Sequence, residues 1–329
     1  MTVADAADTV AHRAPEIADH EWPPPPYIRP VGGERPVRPR GARSFEGLTY
    51  STIPGYRPLL LDLHAPDGVE NPPVVLWIHG GAWLMGDRRL PPVMWPVGAL
   101  FQRIVDAGLA VATIDYRHSK EAPFPAQLHD AKAAIRYLRR FGADLGIDAE
   151  RLVVWGESAG AHLAALVGLT GGRPEWEGEE GVRGLHTEVT AVVDWYGVHD
   201  GERLELRSLP VDPATVPEGH ADTLAREPLL TLTESSPLGA EALRLCSPVA
   251  HVRADAPPFL VMHGEADGLV PIAQSEVFVD AMAAVAASID FRRVPGADHV
   301  FLGVDPLPLM DEAIAWIGDL LAIEEDAHA

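Results

Sequence analysis

Short apolar runs punctuated by proline and glycine alternate along this chain with longer segments whose apolar residues recur every three to four positions. Leu59-Leu60-Leu61-Asp62-Leu63 and Val74-Val75-Leu76-Trp77-Ile78 are runs of the first kind. So are Leu109 to Ile114, Leu152 to Trp155, Val189 to Trp195, Phe259 to Met262 and Ile289 to Arg293. Their lengths and bounding turn residues predict strands. Pro125 to Phe141, with Leu128, Ala131, Ile135 and Leu138 on one face, predicts a helix, as does the small and apolar stretch Ala159 to Leu169. Further helices are predicted before the strand at 109, near 272–287 and near 308–322. Strands nearly free of polar residues, alternating with amphipathic helices, imply a mostly parallel sheet covered on both faces. The pattern predicts one α/β domain.

Two stretches break the alternation. Residues 1–45 carry eight prolines before position 40, including Pro23 to Pro26, with Arg35, Arg38, Arg40 and Arg43 just behind. Proline fixes φ and lacks a backbone donor, so this stretch is read as an extended N-terminal arm, with the catalytic domain at 46–329. The arm is either a flexible leader or a flap that brings Trp22 and Tyr27 near a pocket. Between Gly197 and Pro257 about 60 residues rich in Glu, Pro and Leu carry no clear strand; loops of this length have a function or their own helices. They are read as a lid or cap, inserted at about 198–256.

Composition narrows the partners. The 26 Lys and Arg against 48 Asp and Glu give a net charge of −22 over 329 residues. Such a surface repels phosphate backbones and anionic lipid, which speaks against nucleic acid and membrane surfaces. No apolar run approaches the ~20 residues of a membrane helix, and no secretory signal is visible, so a cytoplasmic location is expected. One cysteine, Cys246, excludes an internal disulfide and a cysteine metal cluster. No clustered His/Asp spacing predicts a metal site and no glycine-rich nucleotide loop follows a strand, so no cofactor is expected.

The strongest chemical signal is Gly156-Glu157-Ser158-Ala159-Gly160, between the strand ending at Trp155 and the helix from Ala159. A serine on so sharp a strand-to-helix turn is strained, and glycines two positions before and after it relieve the clash. A second signal is His79-Gly80-Gly81-Ala82-Trp83, directly after the strand 74–78. A glycine-rich turn there, with the N–H of Ala159, can hold an oxyanion. Serine needs a base and an orienting carboxylate, and in this architecture the order is Ser, then Asp or Glu, then His. Asp267 follows the strand 259–262 and His299 follows the strand 289–293, where open α/β sheets build their sites. Ser158, Asp267 and His299 satisfy both order and placement. Glu265 is a competing orienter, whereas Asp298 should point away from the neighbouring ring. His162, one turn behind the serine, reads as a packing or supporting residue, His263 as a buried structural histidine, and His129 and Asp130 as surface or sheet-edge groups.

These motifs, with Asp115-Tyr116-Arg117, Phe124-Pro125-Ala126-Gln127, Gly156 to Leu163, Asp194-Trp195-Tyr196-Gly197, Ser247-Pro248-Val249 and Pro257 to Pro271, carry a resemblance from about Tyr50 to Phe301. The chain resembles an α/β-hydrolase of the esterase/lipase branch that includes hormone-sensitive-lipase-like enzymes, and within it the bacterial BD-FAE (feruloyl-esterase-like) group. The resemblance implies the α/β-hydrolase fold, Ser158 as nucleophile, Asp267 as orienter and His299 as general base. It also implies oxyanion donors at the N–H groups of Gly81, Ala82 and Ala159. Ala82 departs from the family's commoner third glycine; a backbone donor survives that change, while the added methyl group narrows the hole.

The function expected is hydrolysis of small to medium carboxylic esters through an acyl-enzyme. Trp83, Asp194 and Trp195 are expected to line the substrate pocket. Arylformamidase-type amide hydrolysis is the alternative, since that family is similar in its His-Gly-Gly-x-Trp turn and in Ser158 to Leu163. A ligand-binding pseudoenzyme of the same fold is the remaining reading, disfavoured because all three triad positions are filled.

Overall fold

A computed structural model of the chain describes residues 38–204 and 240–322. Most of the N-terminal arm and the centre of the expected cap lie outside the described residues.

The described residues form an eight-stranded sheet. Its strands are β1 (Ala42–Ser51), β2 (Leu59–Pro66), β3 (Pro73–Ile78), β4 (Ala110–Ile114), β5 (Asp148–Glu157), β6 (Ala191–Trp195), β7 (Phe259–Gly264) and β8 (Ile289–Val294). They lie in the order β1-β2-β4-β3-β5-β6-β7-β8. β1 and β2 are antiparallel, β2 pairs antiparallel with β4, and every other pairing is parallel. The helices are α1 (Ala99–Asp106), α2 (Ala126–Leu145), α3 (Ala159–Thr170), α4 (Ala240–Cys246), α5 (Ala273–Ala284) and α6 (Leu307–Leu320).

Seven of the strands match the apolar runs of the sequence. β1 does not: Ala-Arg-Ser-Phe-Glu-Gly-Leu-Thr-Tyr-Ser is an edge strand whose outer positions are half-exposed, so it lacks a continuous apolar run. It begins at Ala42, inside the segment read as arm.

The period of two along the inner strands sorts the core into two layers. Val74, Leu76 and Ile78 face one side of the sheet, with α2, α3 and α5; Val75 and Trp77 face the other, with α1 and α6. α3 is buried along its whole length, which explains a sequence of small and apolar residues without a polar face. A side chain at Gly168 would press on Val192, so the helix can approach the sheet this closely only with glycine there. On the other face Trp77, Trp155 and Trp195 stack edge to face, with ring centroids 6.1 and 4.9 Å apart.

One expectation for α2 is reversed. Asp130 is fully buried and accepts from the Arg117 guanidinium at 2.7 Å; burial pushes its carboxyl up to about 6 against the pull of Arg117. Helical spacing alone assigned Asp130 to the surface because it does not reveal the arginine that enters from the end of β4.

Candidate active site

β5 delivers Ser158 one residue past its end, and α3 starts one residue later. Ser158 has φ 53° and ψ −119°, a region that L residues avoid. The flanking glycines are required by contact rather than by flexibility. A Cβ at Gly156 would collide with the backbone of Gly160, and one at Gly160 would collide with the carbonyl of Ile78 at the end of β3. The elbow is thus wedged against the neighbouring strand, with the Ser158 N–H donating to Trp195 O at 2.9 Å.

His299 opens a tight turn, His299–Phe301, after β8, and its Nε2 lies 3.1 Å from Ser158 Oγ across 141 residues of sequence. Its Nδ1 lies 2.8 Å from Asp267 Oδ2. Asp267 Oδ1 accepts the backbone N–H groups of Leu269 and Val270 at 2.9 and 2.8 Å, which fixes the rotation of the carboxylate. Burial would raise its pKa, but the N–H groups of His263 and His299 outweigh burial and hold the carboxyl well below the usual carboxylate range. The structure therefore brings Ser158, His299 and Asp267 together. Glu265 is exposed on the loop, and Asp298 turns away from the imidazole to accept from the backbone N–H groups of His299 and Gly268, both at 2.7 Å.

The glycine-rich turn leaves β3 beside the elbow, since Ile78 pairs in register with Gly156. The Gly80 N–H donates to Glu157 Oε1 at 2.5 Å, so the residue preceding the serine grips the turn. Burial pushes the Glu157 carboxyl up to about 6, against the opposing pull of His299 and the Gly80 N–H. Gly81, Ala82 and Trp83 all have positive φ, at 109°, 54° and 59°, and the turn closes through Leu84 N–H and Met85 N–H to Gly81 O. Among the described residues the N–H groups of Gly81, Ala82 and Ala159 have no backbone acceptor.

The three expected pocket residues are enclosed. Trp83 is 2% exposed and its indole N–H donates to His162 Nδ1 at 3.2 Å. Asp194 accepts from His199 Nε2 at 2.9 Å and from the Gly197 N–H, and is fully buried. Trp195 is fully buried between Trp95, Trp155 and Phe301. All three side chains are packed among their neighbours. Aromatic residues beside a motif gave no sign of which way they face.

Three supporting residues escaped the sequence reading or were seen only in outline. His162 accepts from Trp83 and donates through Nε2 to Cys246 O at 2.6 Å, tying the oxyanion turn to the end of α4. Burial lowers its pKa to about 4, so the ring is neutral and only the Nε2–H tautomer satisfies both partners. Trp95 donates to Val300 O at 2.9 Å, linking the loop after the oxyanion turn to the residue after His299. His263, read as structural, has Nε2 3.3 Å from Asp267 Oδ2. A histidine four residues before the orienting aspartate was the available signal. No group of metal-ligating side chains occurs among the described residues.

A strained serine after a buried parallel strand, an imidazole on its hydroxyl and a buried carboxylate behind the ring are laid out on this sheet as in the α/β-hydrolase fold. The solved structure of a truncated carbohydrate esterase from gut microbiota superposes with a TM-score of 0.71 at 25% identity, covering 88% of this chain and 100% of the other. The BD-FAE family model matches residues 61–282, and the chain belongs to that family of α/β-hydrolase esterases. The matched span holds Ser158 and Asp267 and ends before His299. Among curated relatives, esterase LipC of Mycobacterium tuberculosis is 34% identical over 88% of this chain and 67% of its own length. Esterase LipQ of the same organism is 34% identical over 75% of this chain and 55% of its own length. The chain thus spans between half and two thirds of the length of these relatives. No helix among the described residues is long and apolar enough to cross a membrane.

Proposed function

We propose that Ser158, His299 and Asp267 form the catalytic triad of a serine carboxylic ester hydrolase acting on small to medium acyl esters, with the N–H groups of Gly81, Ala82 and Ala159 as oxyanion donors. The observation that carries the reading is the pair of contacts at His299, 3.1 Å to Ser158 Oγ and 2.8 Å to Asp267 Oδ2. His299 Nε2 takes the serine proton as Oγ bonds to the ester carbonyl carbon, and the carbonyl oxygen becomes an oxyanion held by the three N–H groups. The tetrahedral adduct expels the alkoxide, which takes the proton from His299, and an acyl-enzyme remains. Water then gives a proton to His299 as it attacks the acyl carbon, and the acid leaves as Ser158 is reprotonated. Asp267, anionic across the working range, holds the Nδ1–H tautomer and the imidazolium that forms twice per cycle.

The relatives reported above are named as esterases, which supports ester over amide chemistry. The net charge of −22 favours small uncharged esters over phosphate-bearing partners. A reducing cytoplasm suits a chain whose single cysteine, Cys246, is buried and unpaired. The test is hydrolysis of p-nitrophenyl esters from acetate to dodecanoate, with N-formylkynurenine alongside, by wild type and Ser158→Ala. Turnover that peaks at short to medium chains and disappears in the variant is the expected result. Substantial turnover by Ser158→Ala removes it as nucleophile, and preference for the formamide overturns the ester reading.

A further inference from the structure

Five side chains make one continuous polar chain through the site. It runs from Ser158 Oγ to His299 Nε2 at 3.1 Å and from His299 Nδ1 to Asp267 Oδ2 at 2.8 Å. It continues from Asp267 Oδ2 to His263 Nε2 at 3.3 Å and from His263 Nδ1 to Ser275 Oγ at 2.7 Å. The carboxylate therefore sits at the centre of a Ser–His–Asp–His–Ser arrangement. Its inner arm comes from β7 and the first turn of α5, and both His263 and Ser275 are fully buried. Substrate cannot reach Ser275, so the inner arm is not a second nucleophilic centre.

The protons on the inner arm follow from its partners. His263 Nε2 lies 2.8 Å from the carbonyl of Val270, which can only accept, so Nε2 carries the hydrogen. Nδ1 is then the acceptor, and the Ser275 hydroxyl donates to it. The Nε2–H points its positive end between Val270 O and Asp267 Oδ2, the same carboxylate oxygen that accepts from His299.

We propose that His263, held in this tautomer by Val270 O and braced by Ser275, is a positioning residue that draws charge from Asp267 Oδ2 and so sets the basicity of His299. The inference rests on the triad reading above. An imidazolium is stabilised by the charge facing it, and an oxygen that shares its charge with a second donor stabilises it less. With His263 in place, His299 gives up its proton at lower pH and works as a base over a wider range. The other groups around the pair are constant in this comparison. The Tyr196 ring lies 4.9 Å from His299 and 6.5 Å from His263, the Glu157 carboxylate acts on His299 from beneath the elbow, and Asp298 is bound to the backbone of Gly268 and His299.

The test is the pH dependence of kcat/KM on p-nitrophenyl butyrate from pH 4.5 to 9 for wild type, His263→Leu, His263→Gln and Ser275→Ala, each checked for folding by circular dichroism. In His263→Leu the acid limb moves up by about 0.5–1 pH unit, the effect of losing one shared hydrogen bond to a charged group. His263→Gln keeps an N–H donor for Val270 O and Asp267, and returns the limb to the wild-type position. Ser275→Ala, which removes the donor to Nδ1 and loosens the ring while Val270 O still holds the tautomer, moves it in the same direction by less. A purely structural role lowers the rate evenly across pH and leaves the limb in place. A limb that is unmoved or moves down in the folded variants overturns the proposal; if His263→Leu does not fold, Ser275→Ala decides alone. Turnover surviving in Ser158→Ala is a separate failure, that of the triad.

Discussion

Replacing Asp267 with asparagine changes one atom and tests most of the site. The carboxylate accepts three N–H groups, Leu269 and Val270 on Oδ1 at 2.9 and 2.8 Å and His299 on Oδ2 at 2.8 Å, and His263 Nε2 lies 3.3 Å from the same Oδ2. An asparagine has one acceptor oxygen and one amide NH2. With the oxygen kept on the two backbone donors, the NH2 faces two ring N–H groups. His299 then relieves the conflict by moving its proton to Nε2, which points at Ser158 and can no longer accept the serine proton. With the amide reversed, two buried backbone donors lose their acceptor, at about 1–3 kcal/mol each. The first arrangement is therefore favoured, and it is the inactive one. The same exchange in a serine protease triad costs about 10⁴-fold in kcat, roughly 5.5 kcal/mol of barrier. We expect a loss of that order here, with KM nearly unchanged and the far-ultraviolet spectrum intact.

Stability should respond in the same variant with a definite sign. The folded pKa of Asp267 lies below its unfolded value of about 3.9, so its contribution is full above that pH and is lost as pH falls towards the folded value. Urea midpoints of wild type and Asp267→Asn should differ at pH 7 and converge between pH 4 and 2. The assay pairs kcat/KM on p-nitrophenyl butyrate with these midpoints. A loss of less than tenfold would refute the reasoning, because it would mean that another carboxylate orients His299.

Two substitutions probe the backbone of the site. Gly160→Ala drives a methyl group into the carbonyl of Ile78, so it should destabilise by at least ~3 kcal/mol in urea titration, whereas an ordinary helical glycine would gain from alanine. Ala82→Gly relieves a residue held at φ 54° and keeps its N–H; it should raise the unfolding free energy from urea titration by about 0.5 kcal/mol and leave kcat within about twofold. A tenfold fall in kcat would give the methyl group a role in the oxyanion hole.

Much of this was legible in the sequence because buried parallel strands leave a strong trace. Val74 to Ile78, Leu152 to Trp155 and Phe259 to Met262 are apolar throughout since both faces are covered, and the loops after them hold the chemistry. Gly156 and Gly160 could be read as a steric necessity. β1 was hidden because an edge strand has one wet face. The burial of Trp83, Asp194 and Trp195 was not legible, because a residue's number beside a motif does not give its direction; the alternation along β6 turns Trp195 into the core. His263 is buried as its place at a strand end implied, but its partner Ser275 lies on a different element, and a buried polar contact between elements leaves no periodicity.

The two halves of the site arrive at different times in the life of the chain. The serine and the oxyanion turn belong to β3 and β5, adjacent strands at the middle of the sheet and complete by residue 160. The base hangs from β8, the outermost strand, whose residues are mostly half-exposed or exposed. During synthesis the proposed nucleophile is therefore laid down 141 residues before its proposed base, and until then a nascent chain would carry an inert hydroxyl. On the proposed reading the site is completed by the last strand in the sequence, at the rim, where the sheet is held on one side only. The hydrolase is armed from its edge.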